Sequence, residues 1–337
     1  MDNQKEILPL ISVILPVYNS EAYIRESIES ILNQTYSNFE FLILNDGSKD
    51  KSEEIILSYG DPRIKYYKHP NCGLAGTLNR GIELSKGDFI ARQDQDDISL
   101  PQRFEKQLNF LVTNPDVVMV GTRASVFIDG GKVIKYHDHA TDSAVLKFDL
   151  MFNNPFVHSS VMFKKSVLEK TGNYTVDRNF FEDYNLWSKM AWHGKLVNLK
   201  DVLVEYRHHE KGMSKDAAYF SKNALYNQCT LNIETLMGEK SVVVNDMLAL
   251  MHKDYTLYRG TEKAEIYQYL QKMAEKIISQ HKGSENLVSQ RLKQYKNIMG
   301  YCFNIYKRKL AEKNRLKMFF LKLDMKLHEY HPNLINE

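Results

Sequence analysis

Cysteine is scarce. The 337 residues contain three, Cys72, Cys229 and Cys302. An odd number at wide spacing excludes a disulfide framework and a cysteine-based zinc site, and it fits a reducing compartment. Long apolar runs are missing too: none reaches the ~18 residues that a membrane-spanning helix requires. Met1-Asp2-Asn3-Gln4-Lys5-Glu6 lacks the basic start and apolar core of a secretion signal. A cytoplasmic location is therefore the expectation. Nor is there an excess of one charge. Lys and Arg number 45 against 42 Asp and Glu, a net charge of +3, so nucleic acid is not an expected partner. Proline is sparse, with none between Pro155 and Pro332. Nothing of that kind interrupts a helix over the second half of the chain.

Apolar residues make up 43% of the chain, enough for a sizeable core. The first hundred residues alternate short apolar runs with amphipathic stretches. Strands are predicted at 11–15, 39–44, 64–67 and 89–92, and helices at 21–34, from Asp50 onward, and at 73–84. That alternation implies a parallel sheet with right-handed crossovers, an α/β fold whose ligands bind at the carboxyl ends of the strands. Tyr18, Asp46 and the acidic stretch Asp94-Gln95-Asp96-Asp97 all fall at such ends. Further on, helices are predicted at 101–112, 143–151 and 181–192, and strands at 117–128, 132–136, 161–163 and 202–206. Past about residue 218 the strand signals stop, and helices are predicted at 224–237, 244–252, 262–280 and 288–327. Two domains are expected, 1–218 and 219–337, with the boundary near 214–220. Between 271 and 330 there are fourteen Lys and Arg against five Asp and Glu, so the rest of the chain is net acidic.

The acidic stretch is the richest in chemistry. In an extended chain Asp94 and Asp96 point to the same side. Two converging carboxylates repel unless a cation sits between them. Hard oxygen donors suit Mg²⁺ or Mn²⁺, and few protein ligands leave room for a substrate's phosphates. On these residues alone, a solvated acidic loop stays open beside the metal reading.

Five motifs in order carry a resemblance. Ile11-Ser12-Val13-Ile14-Leu15-Pro16-Val17-Tyr18-Asn19 resembles the opening strand of family 2 glycosyltransferases with the GT-A fold. Leu44-Asn45-Asp46-Gly47-Ser48 is similar to their second-strand motif, and Asp94-Gln95-Asp96-Asp97 to their Asp-x-Asp motif. Glu182-Asp183-Tyr184-Asn185-Leu186-Trp187 resembles their catalytic Glu-Asp motif, and Tyr206-Arg207-His208-His209 to Ser214 their Tyr-Arg-x-His segment. The match spans roughly 10–214; the helical remainder carries none.

The resemblance implies a GT-A catalytic domain that transfers a hexose or N-acetylhexosamine from a UDP-sugar, with inversion. The acceptor would be a hydroxyl of a glycan or lipid-linked glycan, in surface-polysaccharide or lipooligosaccharide synthesis. It places the nucleotide sugar on Pro16, Val17, Tyr18, Asn19, Asp46, Asn79, Arg92, Asp94, Gln95 and Asp96. Tyr18 would stack on the base and Asp46 would accept the uracil imide N–H. Mn²⁺ or Mg²⁺ would be held by Asp96 foremost, with Asp94 and His209. Asp183 would be the catalytic base. Glu182, Asp97 and His158 would lie on the sugar or acceptor side. Two positions depart from the family: Leu78 precedes Asn79 where many relatives carry Arg, and Gln95 replaces a smaller residue.

In the tail, Leu316, Phe319, Phe320, Leu323 and Leu327 form an apolar stripe flanked by Arg308, Lys309, Lys313, Arg315, Lys317, Lys322 and Lys326. Such a basic amphipathic helix suits an anionic membrane surface. Packing on the helical domain, or against a second subunit as a homodimer, fits equally. Two other readings compete for the whole chain. A sugar-phosphate nucleotidyltransferase shares the sheet and acidic site but needs a Gly-rich phosphate loop after its first strand. Here that loop is Val17-Tyr18-Asn19-Ser20. A non-catalytic glycan-binding scaffold would keep the fold without needing Asp183.

Overall fold

The computed structural model describes residues 8–210 and 221–330, with side chains placed as far as Leu316. The chain divides into two compact units, Met1–Thr235 and Leu236–Glu337. The first opens with β1 (Ile11–Val17), α1 (Ile24–Leu32), β2 (Phe39–Asn45), α2 (Ser52–Leu57), β3 (Ile64–Lys68), α3 (Gly73–Leu84) and β4 (Phe89–Arg92). Next come β5 (Ile98–Ser99), α4 (Arg103–Thr113), β6 (Val117–Phe127), β7 (Val133–His137) and α5 (Ser143–Asp149). Then follow β8 (Met162–Lys164), α6 (Leu168–Thr171), α7 (Glu182–Met190), β9 (Lys195–Arg207) and α8 (Lys222–Met237).

Nine strands form one sheet in the order β3-β2-β1-β4-β8-β6-β9-β5, with β7 paired to β6. The pairs among β1, β2, β3 and β4 are parallel, as the alternation predicts. β8 enters antiparallel to both β4 and β6, while β6 and β9 run parallel. Every residue of β1 and β2 is buried, which is why they read as continuous apolar runs. The core beneath them joins Ile24, Ile28 and Ile31 of α1 with Phe104, Leu108 and Leu111 of α4. β1 lies between β2 and β4; its connection runs through α1 to β2 on one side, while the chain leaves β4 on the other. A crevice opens at these carboxyl ends.

Two strands depart from the sequence reading. β9 runs from Lys195, not from residue 202, and β5 was not expected at all. Asn198, Lys200 and Asp201 break the apolar pattern of β9; its length comes from pairing with β6 over Val117–Phe127. A strand specified by its neighbour leaves little trace in its own residues. The expected boundary near 214–220 lies outside the described residues. Beyond it, α8 belongs mostly to the first unit. Asn185 Nδ2 donates to Gln228 Oε1 at 2.9 Å, and Asn232 Nδ2 donates to the Leu150 carbonyl at 2.6 Å.

The second unit holds α9 (Val242–Met251), α10 (Lys263–Gln280) and α11 (Glu285–Tyr330) in mutual contact. Its one buried carboxylate, among the described residues, is Asp246. It accepts the backbone N–H groups of Arg259, Gly260 and Thr261 at 2.6, 2.9 and 2.7 Å. The loop therefore closes on a side chain of α9, with Gly260 at φ +115° where only glycine is unstrained. Asp246→Ala is expected to cost about 1–3 kcal/mol, because three backbone N–H groups lose their charged, buried acceptor. Urea denaturation of the full chain followed by circular dichroism measures it; an unchanged midpoint would show the clamp to be dispensable.

Candidate active site

A cleft of about 520 Å³ lies at the carboxyl ends of the strands. Its floor comes from Pro16, Val17 and Tyr18 at the end of β1, and from Asp46 just past β2. Asp94, Gln95 and Asp96 follow β4 into it, while Asn154, His158, Glu182 and Asp183 form another wall. His137, His139 and the run from Tyr206 to His209 complete the lining.

At one end, Asp46 is held at the N-terminus of α3. Its carboxyl oxygens accept the backbone N–H groups of Cys72 at 2.7 Å and Gly73 at 3.0 Å. Gly47 follows at φ +77°, turning the chain so that this carboxyl meets α3. Each oxygen keeps a lone pair for a further donor. Tyr18 stands on the rim, 46% exposed. Gln95 reaches across to it: Oε1 accepts the Tyr18 N–H at 2.7 Å, and Nε2 donates to the Tyr18 carbonyl at 3.3 Å. Gln95, which also lines the cleft, thereby clips the end of β1 to the acidic loop. Asn19 adopts φ +49°, accepts the Lys49 N–H at 2.8 Å and stays out of the cleft lining.

The acidic stretch divides its carboxylates. Asp94 faces Arg92, whose guanidinium donates to Oδ1 at 2.5 Å, and Ser159, whose hydroxyl donates to Oδ2 at 2.5 Å. Burial alone would raise its pKa, but the Arg92 charge holds it below the usual carboxylate range. Arg92 Nε also donates to His158 Nε2 at 3.2 Å. Burial and the Arg92 charge keep that imidazole neutral, down to about 3. Asp97 is buried away from the cleft. It accepts the Arg207 N–H at 2.8 Å and meets the same Ser159 hydroxyl. Burial, then Asp96 and Asp94, push its pKa well above the ordinary value. A hydroxyl has one hydrogen to give. Ser159 therefore donates to one of these two carboxylates at a time.

Asp96, unlike Asp97, lines the cleft, as Asp94 does. His209 Nε2 lies 2.8 Å from its Oδ2, and the ring packs on Tyr23 at 4.7 Å between centroids. His209 Nδ1 is buried without a hydrogen-bond partner among the described residues. A carboxylate beside an imidazole nitrogen suits a divalent ion of the Mn²⁺ or Mg²⁺ kind, Mn²⁺ more readily given the nitrogen. Asp94, Asp96 and His209 do not close into one compact triad, because Arg92 and Ser159 draw Asp94 aside. Among the described residues the compact trio of such donors is Asp46, His69 and Cys72.

Asp183 sits in the first turn of α7, where the helix dipole favours an acid. Its Oδ1 accepts the Tyr184 N–H at 2.6 Å and its Oδ2 the Asn154 Nδ2–H at 2.8 Å. Burial, then the neighbouring Glu182, push its pKa up to about 7. That is where a general base works well near neutral pH. The cleft thus brings together Pro16, Val17, Tyr18, Asp46, Asp94, Gln95, Asp96, His158, Glu182, Asp183 and His209. It leaves Asn19, Asn79, Arg92 and Asp97 outside its lining. Asn79 exchanges hydrogen bonds with the Tyr174 backbone at 2.9 and 3.0 Å, so its amide is already taken up. Ser159, Asn154, His137 and His139 escaped the sequence reading of roles. No spacing marks them, since β8, β7 and the loops around them are placed by pairing.

The sequence and fold have known relatives. The family model described as Glycosyl transferase family 2 matches residues 12–172. The O-antigen biosynthesis glycosyltransferase WbnJ of Escherichia coli is 37% identical over 227 residues, covering 66% of this chain and 88% of WbnJ. A crystal structure of S. aureus TarS 1-349 in complex with UDP-GlcNAc superposes with TM-score 0.58 at 17% identity, over 86% of this chain and 90% of that one. The mannosyltransferase PcManGT from Pyrobaculum calidifontis, in complex with GDP-Man and Mn²⁺, gives TM-score 0.54 at 14% identity, over 90% and 88%. At such identities the structural likeness establishes the fold.

Proposed function

The chain belongs to glycosyl transferase family 2 and has the GT-A fold; from that premise we propose an inverting transfer from a UDP-sugar, assisted by a divalent ion, to an acceptor hydroxyl. One observation carries the reading: the Asp183 carboxyl and the Asp96–His209 pair line a single cleft at the strand ends. Asp183 takes the acceptor's proton as that oxygen bonds to the anomeric carbon and the bond to the diphosphate breaks. A single displacement of this kind inverts the anomeric centre. Asp96 and His209, with Asp94 nearby, would hold Mn²⁺ or Mg²⁺. That ion, when bound, offsets charge on the departing diphosphate. Asp46 accepts the imide N–H of uracil, and Tyr18 offers its exposed ring to the base.

The acceptor we propose is a glycan or lipid-linked glycan in surface-polysaccharide synthesis, in line with the name of the E. coli relative. No helix among the described residues is long and apolar enough to cross a membrane. The region 219–337 is assigned to contacts with acceptor, membrane surface or a second subunit. Leu316 of the apolar stripe is exposed on α11, and the rest of the stripe lies outside the described side chains. Cosedimentation with anionic vesicles and sedimentation equilibrium separate those contacts.

The test is turnover across a panel of UDP- and GDP-sugars, with and without EDTA. A UDP-sugar should be consumed, and EDTA should lower the rate about tenfold or more, with Mn²⁺ or Mg²⁺ restoring it. Turnover indifferent to EDTA, or confined to GDP-sugars, would overturn the metal or the uracil part of the reading.

A further inference from the structure

Asp183 has repulsive company. The charges that reach it most strongly are those of Glu182 and Asp94, both negative. In a buried site, two carboxylates of one sign favour the protonated or the displaced form of the acid between them. Two donors oppose this. The Tyr184 N–H is rigid, because it belongs to the same helix turn. Asn154 Nδ2 belongs to a different segment, the loop ahead of His158.

The orientation of Asn154 follows from its surroundings. Its Oδ1 accepts the Phe156 N–H at 3.2 Å. The amide's other end, which only donates, therefore faces Asp183. The loop is anchored in turn by the buried Asn198 of β9. Asn198 Nδ2 donates to the Pro155 carbonyl at 3.2 Å and to the Ala140 carbonyl at 3.0 Å. Asn198 reaches that position across Gly121 of β6, where a Cβ would lie 2.2 Å from Asn198 Oδ1. The chain of contacts runs Gly121, Asn198, Pro155, Asn154, Asp183. Its last link opens on the cleft, which both Asn154 and Asp183 line.

We propose that Asn154 is a positioning residue for the transfer. Its amide fixes the plane of the Asp183 carboxylate and favours its charged form, and Asn198 holds the loop that carries it. The inference rests on the reading of Asp183 as the base. One hydrogen bond from Tyr184 leaves the carboxylate free to rotate; the second, from Asn154, sets the direction of the free lone pairs. Loss of an oriented contact costs turnover rather than donor binding.

The experiment uses the purified full chain with the nucleotide sugar it turns over. It measures kcat/KM for the acceptor against pH at saturating donor. Asn154→Ala should move the acid limb up by about one pH unit, the worth of a hydrogen bond to a charged group. It should lower kcat by about 10- to 100-fold, while donor KM and UDP affinity stay within about twofold of wild type. Asn154→Asp keeps the shape and replaces a donor by an acceptor, so its limb should move further in the same direction. If Asn154→Ala does not fold, Asn154→Asp decides. Variants whose limb and kcat match wild type would overturn the inference. Asp183→Asn separates the two levels. Should it retain wild-type turnover, the base reading fails and Asn154 loses its role with it. Should it be inactive while the Asn154 variants are unaltered, only the role of Asn154 fails.

Discussion

Replacing Asp183 by Asn is expected to lower kcat by about 10²- to 10⁴-fold, the usual contribution of a general base. UDP affinity should change by no more than about twofold. The amide keeps the size of the carboxylate and can still accept the Tyr184 N–H at Oδ1. What it loses is the capacity to take a proton. Asp46 and Tyr18, the proposed base contacts, belong to other segments of the cleft. In the wild type, activity should rise with pH through about 7, because only the ionised carboxyl is a base and burial beside Glu182 holds its pKa there. A bound divalent ion near Asp94 and Asp96 would offset part of the negative field and bring the limb lower.

Stability should move the opposite way. The folded state keeps a proton on Asp183 up to about pH 7, whereas the unfolded chain releases it near the ordinary value of 3.8. The folded form thus binds more protons between those values. Its stability falls as pH rises across that window and levels off above it. Asp183→Asn should flatten that slope. A variant with full turnover, or an unchanged slope, would show that Asp183 neither acts as base nor carries the raised pKa.

Arg103→Met is expected to destabilise the protein by about 3–5 kcal/mol, the cost of leaving several buried acceptors without their donor. The melting temperature should fall by roughly 10 °C for a chain of this size. Arg103 is fully buried at the start of α4. Its guanidinium donates to Gln107 Oε1 at 3.1 Å, Gln93 Oε1 at 3.0 Å and Ser99 Oγ at 2.7 Å. It also donates to the carbonyls of Arg92 and Val161 at 2.7 and 3.1 Å. One side chain thereby ties the end of β4 to β5 and to the entry of β8. No carboxylate touches it directly. Burial and the Arg92 charge pull its pKa down to about 9, against the attraction of Asp97 and Asp94. Methionine would fill much of the space and leave those acceptors without a donor. Arg103→Lys should fall between, since an ammonium carries the charge but cannot fork to five partners. Thermal melts of both variants measure the order. Equal melts for wild type and Arg103→Met would mean that the acidic loop is held by other contacts. The role of Arg103 leaves no mark in the sequence, because an arginine opening a helix looks like a solvated one.

Much of the site is legible in the sequence. Asp94, Asp96 and Asp183 stand in motifs whose spacing is local: two residues apart just past a strand, where the chain turns rather than staying extended, or in the first turn of a helix. The strand runs 39–44 and 89–92 are nearly complete there, since a buried parallel strand must be apolar on both faces. Division of labour among the acids is not legible. Asp94, Asp96 and Asp97 are alike in the sequence, yet Arg92 and Ser159 claim the first, His209 faces the second, and Ser159 with Arg207 buries the third. Those partners come from 92, 159, 207 and 209, positions united only when β8 and β9 enter the sheet.

Local pattern by itself determined the α/β class, the parallel half-sheet and the strand-end rim that carries Asp46, Asp94 and Asp96, whereas Asp183 stood out only through its resemblance to a family motif. It could do so because apolar periodicity and turn chemistry act between residues a few positions apart. Tertiary structure alone decided which carboxylate meets Arg92, which is buried against Arg207 and which meets His209, and that Asn154 stands against Asp183. A carboxyl's pKa and direction depend on burial and on donors brought from distant segments, and no spacing along the chain encodes those distances.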